Sequence, residues 1–131
     1  MPELKEKLKL LNGIKILIVD DDKSVANSIV NILKQFNFEC YVSSNLVDAR
    51  DTIMNIDIDL IITEIDLCNS SGIDFTRFIN EQKLSIPTII LSGSEEKVVL
   101  EASFNNDTFN FMLKPLNYVE LFDIITSINF K

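Results

Sequence analysis

Five side chains able to do metal or phosphoryl chemistry stand directly behind short apolar runs. Asp20 and Asp21 follow Ile14 to Val19, Glu64 follows Leu60 to Thr63, Ser92 follows Pro87 to Leu91, and Lys114 follows Phe109 to Leu113. Three carboxylates in one place repel one another and resist ionisation unless a cation sits among them. Oxygen donors without histidine or thiolate select a hard ion, Mg²⁺ or Mn²⁺. An ammonium and a hydroxyl across the same pocket suit phosphoryl oxygens. The set points to binding or transfer of a phosphoryl group on a carboxylate, provided the fold gathers the ends of the four runs.

The elements that must gather them are legible. Each run is short and largely apolar, and Leu60 to Thr63 is β-branched as well, long enough for a buried strand and too short for a helix; Glu39 to Ser43 adds another. Between the strands lie helical patterns. Ser24 is a candidate cap for a helix presenting Val25, Ile29, Ile32, Leu33 and Phe36, and Asn45 or Ser44 for one with Leu46, Ala49, Ile53 and Met54 inward. Gly72 opens a third helix with Ile73, Phe75, Phe78 and Ile79 inward, and Glu64 is joined to it by a polar loop. Glu95 to Phe104 is a fourth helix, with a Val98-Val99-Leu100 run, and Asn117 to Asn129 a fifth, apolar at Leu121, Ile124, Ile125 and Ile128. Such alternation implies an α/β fold, a five-stranded parallel doubly wound sheet with five flanking helices. In that architecture the strand ends share one edge, where ligands bind. Residues 1–13 carry Leu4, Leu8 and Leu11 at helical spacing and then Asn12-Gly13. They read as a short N-terminal extension, either a helix packed on the domain or a loose end, with a docking helix for a partner as the alternative. Residues 14–131 form the domain.

Bulk properties narrow the function. The 131 residues, 47% hydrophobic and 24% charged, suffice for one domain with one core. A net charge of −8 argues against direct nucleic-acid binding by this domain. No apolar run nears the ~20 residues of a membrane span, and no secretory segment is present. The chain has no histidine, and Cys40 and Cys68 lack metal-site spacing, which disfavours zinc and Cys-His chemistry and fits a cytoplasmic location.

Taken in order, Ile-Leu-Ile-Val-Asp-Asp, Asp-Leu-Ile-Ile-Thr-Glu, Gly72, Ile-Ile-Leu-Ser-Gly and Phe-Met-Leu-Lys-Pro resemble the receiver domain of bacterial two-component response regulators, over about residues 14 to 129. The resemblance implies a flavodoxin-like strand order, 2-1-3-4-5, and a signalling domain rather than an enzyme. It implies Mg²⁺ held by Asp20, Asp21, the residue ending the third strand and the backbone carbonyl of Asp66. It also implies that Ser92 and Lys114 contact a phosphoryl group, with Phe111 at the aromatic switch position. Implied partners are a histidine kinase and an effector protein or output domain. A homodimer would use the face of the fourth helix, fifth strand and fifth helix, where Val98 to Leu100 and Ile124 could supply apolar contacts.

The match departs at the phospho-acceptor: Glu64 stands where the family has aspartate, and Leu67-Cys68 replaces a frequent Met/Leu-Pro. One extra methylene carries a carboxylate about 1.5 Å further, towards where phosphoryl oxygens would lie. Glu64 is therefore expected to bind Ser92 and Lys114 itself, giving a pseudo-receiver that partly mimics its phosphorylated state, with Mg²⁺ bound weakly or not at all. A pocket surviving only as a relic in a docking module is the competing reading. Two alternatives remain: phosphorylation on Asp66, and a small Mg²⁺-dependent phosphatase of the haloacid-dehalogenase type using Asp20 and Asp22.

Overall fold

A computed structural model describes residues 2–67, 70–93, 109–128 and 130. In chain order the elements are α1 (Pro2–Lys9), β1 (Lys15–Val19), α2 (Lys23–Lys34), β2 (Glu39–Ser43), α3 (Leu46–Asn55), β3 (Leu60–Glu64), β4 (Asp66–Leu67), β5 (Ser70–Ser71), α4 (Gly72–Glu81), β6 (Thr88–Ser92), β7 (Phe109–Leu113) and α5 (Tyr118–Ser127). The expected helix over Glu95 to Phe104, the Val98–Leu100 run and Cys68 lie outside the described residues.

Five strands form one parallel sheet in the order β2-β1-β3-β6-β7. Counting only these strands, that is the expected 2-1-3-4-5, the doubly wound flavodoxin-like fold. The central strands β1, β3 and β6 are nearly continuous apolar runs, yet their side chains still alternate between faces. Ile16, Ile18, Leu60, Ile62, Ile89 and Leu91 join the core under α1, α2 and α5. Leu17, Val19 and Ile61 join the core under α3 and α4. No helix among the described residues is long and apolar enough to cross a membrane.

Some local expectations are corrected and others hold. Asp22, not Ser24, caps α2, its Oδ1 accepting from the Ser24 and Val25 amides at 2.9 and 3.3 Å. A carboxylate there also meets the positive end of the helix dipole. Asn45 caps α3 through the Asp48 amide at 2.8 Å. Met54 is exposed, because Leu46, Ala49 and Ile53 already define the inward side of α3 and the next residue falls outside that stripe. The loop after β3 contains a two-stranded antiparallel ribbon, β4 with β5, and it buries Ile65 and Leu67.

Candidate functional site

Register decides where the site forms. Val19 is level with both Ser43 and Thr63, Glu64 with Leu91, and Ser92 with Leu113. The five strand ends thus finish on one line, and the predicted residues stand on or just past it. Alternation then sorts them by face: Glu64 follows the parity of Leu60 and Ile62, and Lys114 that of Met112, all in the core beneath α2 and α5.

Glu64 and Lys114 meet. The Lys114 ammonium forms an ion pair with Glu64 Oε2; the lysine side chain is 32% exposed and the glutamate 7%. The Lys114 backbone is fixed by its N–H donating to the Ser92 carbonyl at 2.8 Å, and a cis peptide bond joins it to Pro115. Burial draws the ammonium's pKa down, but the hydrogen bond and charge of Glu64, with Asp20 and Asp22 behind, leave it above the ordinary lysine value.

Asp20 stands beside this pair. Its N–H donates to the Ser43 carbonyl at 3.0 Å, and its Oδ1 accepts from the Asp22 amide at 2.8 Å. The residue is 3% exposed, and its buried Oδ2 accepts no hydrogen bond among the described residues. Burial pushes its carboxyl up, with Asp21 and Asp22 adding to the rise, while the Asp22 amide and Lys114 pull it down without cancelling it. Asp21 is exposed. Ser92 and Phe111 are both buried, on β6 and β7. Asp66 begins β4, its backbone paired with Ser71.

The free Oδ2 of Asp20 suits a hard cation, which would complete its coordination. Yet among the described residues no three carboxylates, thiols or imidazoles converge closely enough to hold one. Lys114 already brings positive charge to Glu64. Asp20 and Asp21 are the side chains on which Mg²⁺ would rest, with the negative charge of Glu64 partly neutralised by the lysine.

Sequence reasoning missed what flanks this pair. A mostly apolar cleft of about 290 Å³ opens beside Lys114, lined by Val25, Ile29, Leu91, Pro115 and Tyr118 among others. The signal was available in Pro115-Leu116, on the loop after the lysine, and in Tyr118 at the start of α5.

The family model described as response regulator receiver domain matches residues 16–126, and the chain belongs to that family. It is a signalling domain rather than an enzyme, so the phosphatase reading falls; Asp22, the second carboxylate that reading needed, caps α2. The cell cycle transcriptional regulator CtrA of Caulobacter vibrioides is 31% identical over 107 residues, which is 82% of this chain and 46% of that protein. The cell cycle response regulator CtrA of Brucella ovis is 30% identical over 109 residues, with the same coverage. The chain therefore spans about half the length of the curated relatives it matches. Among solved structures, a CheY-like receiver domain from Methanospirillum hungatei superposes with a TM-score of 0.77 at 24% identity, covering 88% of this chain and 93% of that one. The response regulator TrrA of Thermotoga maritima, solved with Mg²⁺ and BeF, also gives 0.77, at 22% identity over 87% and 97%. These likenesses speak for the fold. Receiver domains in general bind Mg²⁺ at their phosphorylation site and work with histidine kinases and output domains.

Proposed function

We propose that this chain is a pseudo-receiver: Glu64 occupies the phospho-acceptor position and by its own carboxylate holds Lys114 in a partly active-like arrangement, so that the domain signals through protein contacts without phosphorylation there. The Glu64–Lys114 ion pair at the ends of β3 and β7 carries this reading. A charge-assisted contact is worth roughly 1.5–3 kcal/mol, and about 1.4 kcal/mol already shifts a two-state population tenfold. One such contact is therefore enough for a standing bias. The mimic is partial, because a carboxylate offers one charge and two oxygens where a phosphoryl group offers about two charges and three.

On this reading Asp20, Asp21, Glu64 and the Asp66 carbonyl form at best a weak Mg²⁺ site, and Ser92 and Phe111 are the remaining switch positions. The partners are an effector protein or output domain, with a histidine kinase optional. A homodimer through the face that includes β7 and α5 is part of the proposal; Leu113 and Val119 are exposed there at 46% and 54%. The test is incubation with acetyl phosphate and Mg²⁺, followed by intact mass and peptide mapping. Absence of a stable phosphoryl group supports the reading. Stoichiometric modification of Glu64 overturns it, and modification of Asp66 replaces it with a conventional receiver using a displaced acceptor.

A further inference from the structure

Among the described residues α1 is the only helix lying wholly outside the matched span 16–126. Its 8 residues are too few to stay helical alone in water. Tertiary contact must hold it, and the contact is with α5. Leu8 is 1% exposed, in the same core cluster as Leu121 and Ile125, and Leu4 and Leu11 are half-buried against that cluster. The rest of the helix is polar and exposed: Glu3, Lys5, Glu6, Lys7 and Lys9. Three lysines against two glutamates thus dock onto a chain whose net charge is −8, so charge favours the docking as well.

The connection between α1 and β1 is a tight turn. Gly13 turns the chain at φ +84°, and its N–H donates to the Asn37 carbonyl at 3.1 Å, anchoring the start of β1 on the far side of the turn. Phe36, Ile128 and Phe130 lie half-buried on the same cluster.

We propose that the α5 face beneath α1 is a helix-docking surface that α1 fills in cis, and that its partner in trans is a short lysine-bearing amphipathic helix with leucines at the spacing of Leu4, Leu8 and Leu11. The observed occupant shows the chemistry that the face accepts, and α1 excludes competitors by its effective concentration, on the order of millimolar for a short tether. The helix is therefore an autoinhibitory contact for that face.

The probe is a synthetic peptide of residues 1–13, titrated into the intact chain and into the intact chain carrying Leu8→Asp, with amide exchange and chemical shifts read on α5. A carboxylate at the buried position ejects α1. The expected results are faster α5 exchange in L8D, saturable peptide binding that restores slow exchange, and binding at least ~10-fold weaker to the unchanged chain, whose site is filled. A peptide bearing the same Leu8→Asp change should not bind. If L8D loses its overall fold, Leu4→Asp at the half-buried first turn replaces it in the same titration. The proposal is overturned by α5 exchange identical to the unchanged chain, by failure of the peptide to bind the folded variant, or by equal binding to both chains.

Discussion

Replacing Lys114 by methionine removes the ammonium while keeping much of the side chain's length and apolar packing. Glu64 would then be left 6% exposed, and Asp20 3% exposed beside it, with no cation between them. Breaking a buried ion pair from one side costs about 3–5 kcal/mol. Lys114 is 32% exposed, so water reaches the site and screens part of that loss; about 1–3 kcal/mol is the expected destabilisation. For a domain of this size that corresponds to a fall in Tm of roughly 5–12 °C. Urea unfolding at neutral pH, read by far-UV circular dichroism, gives the free energy. Glu64→Gln and the double variant complete a cycle whose coupling should be about 1–2 kcal/mol. Most of the K114M loss should vanish in the double variant, because no carboxylate is left stranded at Glu64. A K114M chain as stable as the unchanged one, or losses that simply add, would show that the pair is not coupled and remove the ground for the mimic.

Other outcomes follow from the same geometry. Asp22→Ala should cost about 1 kcal/mol in urea unfolding, since the Ser24 and Val25 amides lose their acceptor. Lys114 has a folded-state pKa above the ordinary 10.5. Its contribution is therefore fully present below that value and is lost as pH rises through the raised one, so the urea midpoint should fall at strongly alkaline pH and less so in E64Q. Asp20 also loses stability as pH rises, but here because its charged form is the unfavourable one. Its raised carboxyl disfavours folding when ionised, so Asp20→Asn should stabilise the chain at neutral pH, with the gain fading as pH falls through the raised value towards 3.8.

The sheet was legible because β1, β3 and β6 are short β-branched runs, and parallel strands must deliver their ends to one edge. That alone placed Asp20, Glu64, Ser92 and Lys114 together. The Glu64–Lys114 contact was expected from the extra methylene of the glutamate, and the register of the sheet, visible only in the structure, sets both side chains on the α2 and α5 side. Local hydrogen-bond competition was harder to read. Asp22 and Ser24 are both good caps, and only the path of the chain out of β1 selects the carboxylate. The ribbon after β3 uses strands of two residues, too short for a periodic signal, although Ile65 and Leu67 flanking Asp66 carry the alternation of a strand. The leucines of α1 announced a helix with one apolar side. That this side rests on α5 depends on contacts between the two ends of the chain, which no local pattern encodes.

The central claim is that Glu64 biases the conformational equilibrium in place of a phosphoryl group. Its most direct test is an amide NMR comparison of three samples: the unchanged chain, Glu64→Asp with Mg²⁺ alone, and Glu64→Asp with Mg²⁺ and beryllofluoride. The Ser92, Phe111 and Lys114 resonances of the unchanged chain should fall between the other two, displaced towards the beryllofluoride state. Resonances coinciding with E64D and Mg²⁺ alone, in an E64D chain that does respond to beryllofluoride, would contradict the account.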